Sequence, residues 1–419
     1  MFLLYDLIFL LYAMLYFPYL LLTKRGYAGY AMRFGFFPSS VRKRIQVRPN
    51  IWLHAVSVGE VMVIDGFIDK LRENYPSYQL VVTVTTKTGY ELALKRLEGK
   101  AIVIPSPLDF SFVADGFVRL ISPKMYIAAE TEIWPNLYRQ LYRRRMPIVV
   151  INGRISEKSF GRYKIIRFLL KGILNQVSVW CMQSQRDAQR IIDLGADPSK
   201  VVVVGNIKFD NLPKSLDTDD HNFSVGQDEL WWVAGSTHPG EEDIVLDVYA
   251  EIIKKNPQWR LVIAPRHIER VGKIIELINR RGLRAVKFKE IASPSASNDT
   301  IIVVDTIGHL RSLYAKASLV FVGKSLCVGG GQNVIEPAVL GKAIVIGPKV
   351  DNFKDIVACF KDNNALVQVE DEHAFLAVIK ELSSDALKRE ALGRRALEVI
   401  AANQGASKRS LDRLAEFLK

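Results

Sequence analysis

From residue 51 onward, apolar runs of strand length alternate with longer amphipathic segments, which is the pattern of a parallel sheet wrapped by helices. In the first half the runs are 51–56, 79–86, 101–105, 124–129, 147–152, 177–182 and 201–206. Their near-continuous hydrophobicity predicts strands buried on both faces. The polar segment 214–229, poor in large apolar residues, then breaks the rhythm and reads as an interdomain linker. A second alternation follows at 230–237, 259–265, 300–306, 318–323, 343–347 and 364–369. A chain of 419 residues exceeds what one core usually fills, so two doubly wound domains are expected, over 23–213 and 230–385. The stretch 386–419 reads as helices able to cross back to the first domain. No internal repeat joins the two halves.

Residues 1–22 carry one charge, Asp6, and no glycine; as a helix they are long enough to cross a hydrocarbon layer of about 30 Å. The basic residues follow this run rather than precede it, and a small-residue cleavage site is missing, which favours an uncleaved anchor over a signal peptide. Asp6 and Pro18 keep a shallow interfacial helix open as the alternative to a full span. Residues 23–50 hold seven Lys/Arg and no acid, so with Asp6 the first 50 residues carry +6 of the net +13. Such a basic stretch marks the cytoplasmic side of a membrane and attracts anionic inner-membrane lipids. Nucleic acid is not expected as a partner, because no basic strip with interleaved aromatics recurs through the body. The three cysteines are far apart and form no CxxC, as suits a reducing compartment without structural zinc.

Doubly wound domains bind ligands outside the carboxyl ends of their strands, and nearly every unusual polar cluster falls there. HAVSVGE (54–60) ends one run and opens a helix, placing Glu60 at a helix N-terminus. The helix amides there favour a carboxylate near neutrality, able either to take a proton from a hydroxyl or merely to complement the helix dipole. His54, within the run, reads as a core histidine. AAETEIWPN (128–136) puts Glu130 at a strand tip with Glu132 two residues on, while NGRIS brings Arg154 and GNIKFD brings Lys208 to later strand ends. Each of these charges taken alone is equally a solvated surface group.

In the second half, AGSTHPGEE (234–242) and APRHIER (264–270) close strands, and Arg266 and His267 suit a phosphate or a base. DTIGHL adds a glycine turn at Gly308. GGGQNVIEPA (329–338) sets three glycines at a strand-to-helix turn, where backbone can approach a phosphate and Glu336 can accept from ribose hydroxyls. GKS at 323–325 lacks the earlier glycine of a P-loop, and His238 and His267 are too isolated to argue for a catalytic metal.

The ordered set HAVSVGE, ETEIWPN, NGRIS, GNIKFD, GSTHPGEE, APRH, DTIG and GGGQNVIEPA, behind an apolar N-terminus, resembles the 3-deoxy-D-manno-octulosonic acid (Kdo) transferases of lipid A assembly. The resemblance implies an α/β protein of the GT-B type, with two Rossmann-like domains facing a central cleft, anchored by its N-terminus to the cytoplasmic face of the inner membrane. It implies transfer of Kdo from CMP-Kdo to a lipid A precursor, with inversion and without a metal or other cofactor. By position, Glu60 resembles the family's base, and Glu130 and Lys208 its transition-state stabilisers. CMP contacts fall on Arg266, His267, Ile307, Gly308, His309, Asn333, Val334, Ile335 and Glu336. The family usually has Glu where His309 stands, His where Gln332 stands and Gly where Lys324 stands. Another nucleotide-sugar transferase or a sugar-nucleotide epimerase of the same fold is the alternative, and a non-catalytic nucleotide sensor is a third reading.

Overall fold

The computed structural model describes residues 5–7, 10, 11, 14, 29–210, 229–290 and 300–418. The chain divides into two compact units, one comprising the chain up to Asn211 together with Gln404–Lys419, the other Leu212–Asn403. Most of the expected linker, 214–228, lies outside the described residues, as do most of residues 1–22. Among the described residues no helix is long and apolar enough to cross a membrane.

In the first unit the strands are β1 (Asn50–Ala55), β2 (Gln79–Val84), β3 (Ile102–Pro105), β4 (Pro123–Ala129), β5 (Ile148–Gly153), β6 (Val179–Met182) and β7 (Val201–Val203). They form a parallel sheet in the order β3-β2-β1-β4-β5-β6-β7. The helices are α1 (Ser39–Ile45), α2 (Val58–Asn74), α3 (Lys87–Arg96), α4 (Ser111–Ile121), α5 (Pro135–Arg143), α6 (Glu157–Ile165), α7 (Arg167–Leu174) and α8 (Gln185–Asp193). One sheet face packs against α1, α4, α5, α7 and α8 around Trp52, Phe117, Tyr126 and Trp180. The other packs against α2 and α3 around Ile64, Phe67 and Ile68.

The second unit repeats the architecture with β8 (Leu230–Thr237), β9 (Trp259–Pro265), β10 (Arg284–Lys287), β11 (Thr300–Val303), β12 (Leu319–Val322), β13 (Ala343–Ile346) and β14 (Val367–Gln368). Here the parallel order is β10-β11-β9-β8-β12-β13-β14. Every sequence-predicted run lies on a strand, and β10 is the addition. Its four residues, RAVK, are charged at both ends and half-exposed at the sheet edge, so no apolar run marks them.

The helices of this unit are α9 (Glu241–Lys255), α10 (Val271–Arg280), α11 (Leu310–Lys316), α12 (Ile335–Ala338), α13 (Lys354–Asp362), α14 (Glu372–Ser384) and α15 (Ala386–Asn403). The chain then returns to the first unit, where α16 (Ala406–Leu414) adds Ala406, Leu411 and Leu414 to the core beneath α2 and α3. The return begins at Gln404, so α15 stays with the second unit. Asp210 fastens it by accepting from the amides of Gly405 at 2.6 Å and Ser407 at 2.5 Å.

Strand order reverses between β1 and β4 in the first unit and between β8 and β12 in the second. Crevices form at such switch points, so the loops after these four strands are where ligands are sought. Four non-glycine residues with left-handed backbone sit in or just after strands: Glu130 (φ 59°), Asn152 (54°), Ser236 (57°) and Lys324 (59°). Strain of this kind collects at functional sites.

Candidate active site

In the first unit Ser57 caps α2, its hydroxyl accepting from the Glu60 amide at 3.4 Å and donating to Glu60 Oε1 at 2.9 Å. The Val56 amide donates to Glu60 Oε2 at 2.6 Å. SVGE is therefore a capping box, and it turns the carboxylate back over the end of β1. Glu60 is only 6% exposed, and burial, reinforced by the charge of Glu130, pushes its pKa up to about 7 despite the donors of Val56 and Ser57. The expectation that helix amides alone would keep Glu60 ionised is corrected here, because desolvation outweighs the helix dipole.

Glu130 follows β4 in left-handed conformation, its amide held by the Ile151 carbonyl at 2.9 Å. Its Oε1 lies 4.0 Å from Lys208 Nζ, both side chains about a quarter exposed. Lys208 stands on a 3₁₀ turn, Ile207–Phe209, that is fixed from beneath. Buried Asn152 accepts from the Ile207 amide at 3.0 Å, Asn206 accepts from the Lys208 amide at 3.0 Å, and Gln183 bridges Asn206 to the Asn152 carbonyl. Glu132, half-buried near Glu60 and Glu130, has its pKa pushed up to about 8 by burial first and by those two charges next. Glu60, Glu130, Glu132 and Lys208 are thus one electrostatic group. Arg154 donates its amide to Thr131 at 3.0 Å beside the same loop.

His54 is buried, as its position in a strand predicts, and burial depresses its pKa to about 3. Thr83 accepts from Trp52 Nε1 at 2.8 Å and spends its own proton on the Leu53 carbonyl at 3.3 Å. His54 Nδ1 lies 2.9 Å from the same hydroxyl, while the other ring nitrogen, Nε2, is buried. That nitrogen has no hydrogen-bond partner among the described residues.

In the second unit Arg266 and His267 are exposed just after β9, and the Arg266 amide is tied to the Thr237 carbonyl at 3.1 Å. His267 meets His238 edge to face, ring centroids 5.7 Å apart. Ile307 is 83% exposed, Gly308 has φ 104°, and His309 packs on Phe288 before the first turn of α11. Asn333 accepts from the Ile335 amide at 3.1 Å and donates to Glu336 Oε1 at 3.2 Å. Burial raises the pKa of Glu336, while Asn333, Arg311 and Arg266 draw it back down. Arg266 and Glu336 thus belong to one site. The side chains of Val334 and Ile335 are buried in the core, so only backbone there can meet a ligand.

The glycine turn differs from a free phosphate cradle. The Gly330 amide donates to the Lys349 carbonyl and the Gly331 amide to the Lys324 carbonyl, and α12 is a single turn. A feature not read from the sequence holds this region together: buried Glu241 accepts from four amides, those of His238, Lys324, Ser325 and Leu326, at 2.8 to 3.0 Å. One carboxylate thereby binds the loop after β8 to the loop after β12. The only sequence signal was a glutamate following Gly240 at the start of α9, which is indistinguishable from an ordinary helix-dipole residue.

Residues 28–211 match the family model described as 3-deoxy-D-manno-octulosonic-acid transferase (kdotransferase), and residues 241–399 match glycosyl transferases group 1. A bifunctional glycosyltransferase/methyltransferase of Fusobacterium nucleatum is 36% identical over 343 residues, 80% of this chain; the match spans about half of that protein, 53%. The 3-deoxy-D-manno-octulosonic acid transferase of Haemophilus influenzae is 31% identical over 398 residues, 93% of this chain and 91% of that one. Among solved structures, the UDP-GlcNAc 2-epimerase of Neisseria meningitidis bound to UDP-GlcNAc superposes with a TM-score of 0.61 at 14% identity, covering 88% of this chain and 100% of that one, a likeness of the two-domain GT-B-type fold alone. With near full-length identity to one such enzyme and the family's N-terminal model over the unit that holds Glu60, Glu130 and Lys208, this chain belongs to the 3-deoxy-D-manno-octulosonic acid transferase family.

Proposed function

We propose that the protein transfers Kdo from CMP-Kdo to a hydroxyl of a lipid A precursor, inverting the anomeric centre and releasing CMP. The observation that carries the reading is Glu60: a buried carboxylate held by Val56 and Ser57, with a pKa of about 7, beside the Glu130–Lys208 pair. A base poised near the working pH combines a useful ionised fraction with proton affinity. The acceptor oxygen attacks the anomeric carbon as its proton passes to Glu60. The bond from that carbon to the CMP phosphate breaks on the opposite face, and the electron pair leaves with the phosphate. Lys208, steadied by Glu130, offsets the negative charge of the Kdo carboxylate or the departing phosphate, so no metal is called for. Arg266 and His267 take the CMP phosphate, Asn333 and Glu336 the ribose, and Gly308 with its neighbours Ile307 and His309 the base.

The same reading sets the protein on the cytoplasmic face of the inner membrane, supported by the apolar residues 1–22 and the acid-free basic stretch 23–50. The deciding experiment is Glu60→Gln assayed with CMP-Kdo and a tetra-acylated lipid A precursor, with product mass counting the sugars added. Transfer within a few-fold of the parent removes Glu60 as the base. The fold likeness to a UDP-GlcNAc 2-epimerase favours a second reading as a UDP-sugar enzyme. Calorimetric titration with CMP against UMP separates the two, tighter UMP binding excluding CMP-Kdo as donor.

A further inference from the structure

The join between α6 and α7 exposes six consecutive residues, Lys164–Leu169, four of them large and apolar. Ile165 is 78% exposed and Phe168 77%, with Ile166 and Leu169 also open to solvent. The elbow is pinned to the body, because the next residues of α7, Leu170, Ile173 and Leu174, are buried in the core. A firmly held cluster of exposed apolar side chains marks an interaction site.

Its charge identifies the partner. Arg162, Lys164, Arg167 and Lys171 surround the apolar tip, all exposed and none in an ion pair among the described residues. From Lys158 to Arg186 the sequence has no acid. Cations ringing an exposed apolar tip suit a surface that is anionic outside and hydrocarbon within.

The position of the elbow agrees. Helix α7 packs against α5 in the layer on one sheet face. At the N-terminal ends of α4 and α5, Asp6 Oδ1 accepts from the Ser111 amide at 3.1 Å and from Asn136 Nδ2 at 2.7 Å. The single charge of the N-terminal segment is therefore spent on this layer. Leu7, Leu10, Leu11 and Met14, at i, i+3, i+4 and i+7, stay exposed. Asp6 thus ties the segment that bears these residues to the helical layer that holds the elbow.

We propose that the elbow at 164–169 is a second membrane contact, distinct from the N-terminal segment, which inserts Ile165 and Phe168 into an anionic bilayer while the four cations meet lipid phosphates. The test uses the full chain reconstituted in vesicles. A nitroxide is attached at Phe168→Cys, or at Leu387→Cys as an exposed control in the other unit, with Cys327→Ser and Cys359→Ser removing the accessible thiols. In vesicles of phosphatidylglycerol and phosphatidylcholine, the ratio of collisions with lipid-dissolved oxygen to those with an aqueous nickel complex rises several-fold at 168 and stays at its solution value at 387. Replacing the four cations by Gln returns the label at 168 to water. A label that stays aqueous in anionic vesicles overturns the proposal, as does equal insertion into pure phosphatidylcholine. Spin–spin broadening at 168 without vesicles also overturns it, since the elbow is then covered by a second copy. None of these readings depends on sugar transfer, so failure here and failure of the transferase reading are separate results.

Discussion

The first unit holds its charges in a half-buried, strained setting, and the second offers them on exposed loop ends. Glu60 and Glu132 have pKa values raised by burial and by neighbouring carboxylate charge, and Glu130 is held in left-handed backbone beside Lys208. Arg266, His267 and Ile307 are exposed, and buried Glu241 is occupied with four amides. Proton transfer needs a group whose ionisation is finely poised, and burial supplies that. Holding a charged nucleotide needs accessible cations and a rigid backbone. On the proposed function the two units divide these requirements between them although their sheets are built alike.

The sharpest break of this comparison is Glu60→Gln, which should lower kcat by on the order of 10² to 10⁴ while CMP affinity by calorimetry stays unchanged. A matching loss of CMP affinity would mean that the division is wrong. Next comes Glu130→Gln. The charge on Glu130 raises the Glu60 pKa, so the rising limb of kcat against pH, centred near 7 in the parent, should move to lower pH in the variant, with kcat reduced by about 10²-fold if Lys208 is released from its position. An unmoved limb would show that Glu60 does not report there.

On the nucleotide side, Arg266→Ala should weaken CMP binding by about tenfold, the scale of one charged hydrogen bond, and leave the pH limb in place. Glu132 tests burial itself. Its folded pKa of about 8 exceeds the ordinary 4.5, so the folded state holds more protons over that interval, and stability falls as pH rises through it. Glu132→Gln should therefore stabilise the protein by about 1 kcal/mol at pH 8 and by little at pH 5, read by urea unfolding. The smallest effect is expected at Lys324, whose left-handed backbone favours glycine: Lys324→Gly should stabilise by about 0.5 to 1 kcal/mol, seen as a small rise in Tm.

Much of this was legible in the sequence because parallel strands announce themselves by continuous apolar runs. The strand ends then named Glu60, Glu130, Lys208 and Arg266, since topology dictates where polar residues after a strand must point. Other features were hidden for physical reasons. The ionisation of Glu60 is a balance between helix amides and desolvation, and desolvation depends on neighbours distant in sequence. The capping box was readable in SVGE, whereas the Asn152–Gln183–Asn206 network joins residues from three strand ends that no local pattern links. In GGGQNVIEPA the glycines signalled close backbone approach correctly, but the approach is to Lys324 and Lys349 of the chain itself. The elbow at 164–169 reads in sequence as an amphipathic helix, and only its burial pattern separates Leu170 from Phe168.

The return of α16 to the first unit has a consequence for how the protein is made. Its residues Ala406, Leu411 and Leu414, with Leu418 just beyond it, complete a core whose other buried residues all precede 208. A chain emerging from the ribosome can close the second unit while one sheet face of the first, already under α2 and α3, still lacks α16. The first unit is thus started first and finished last.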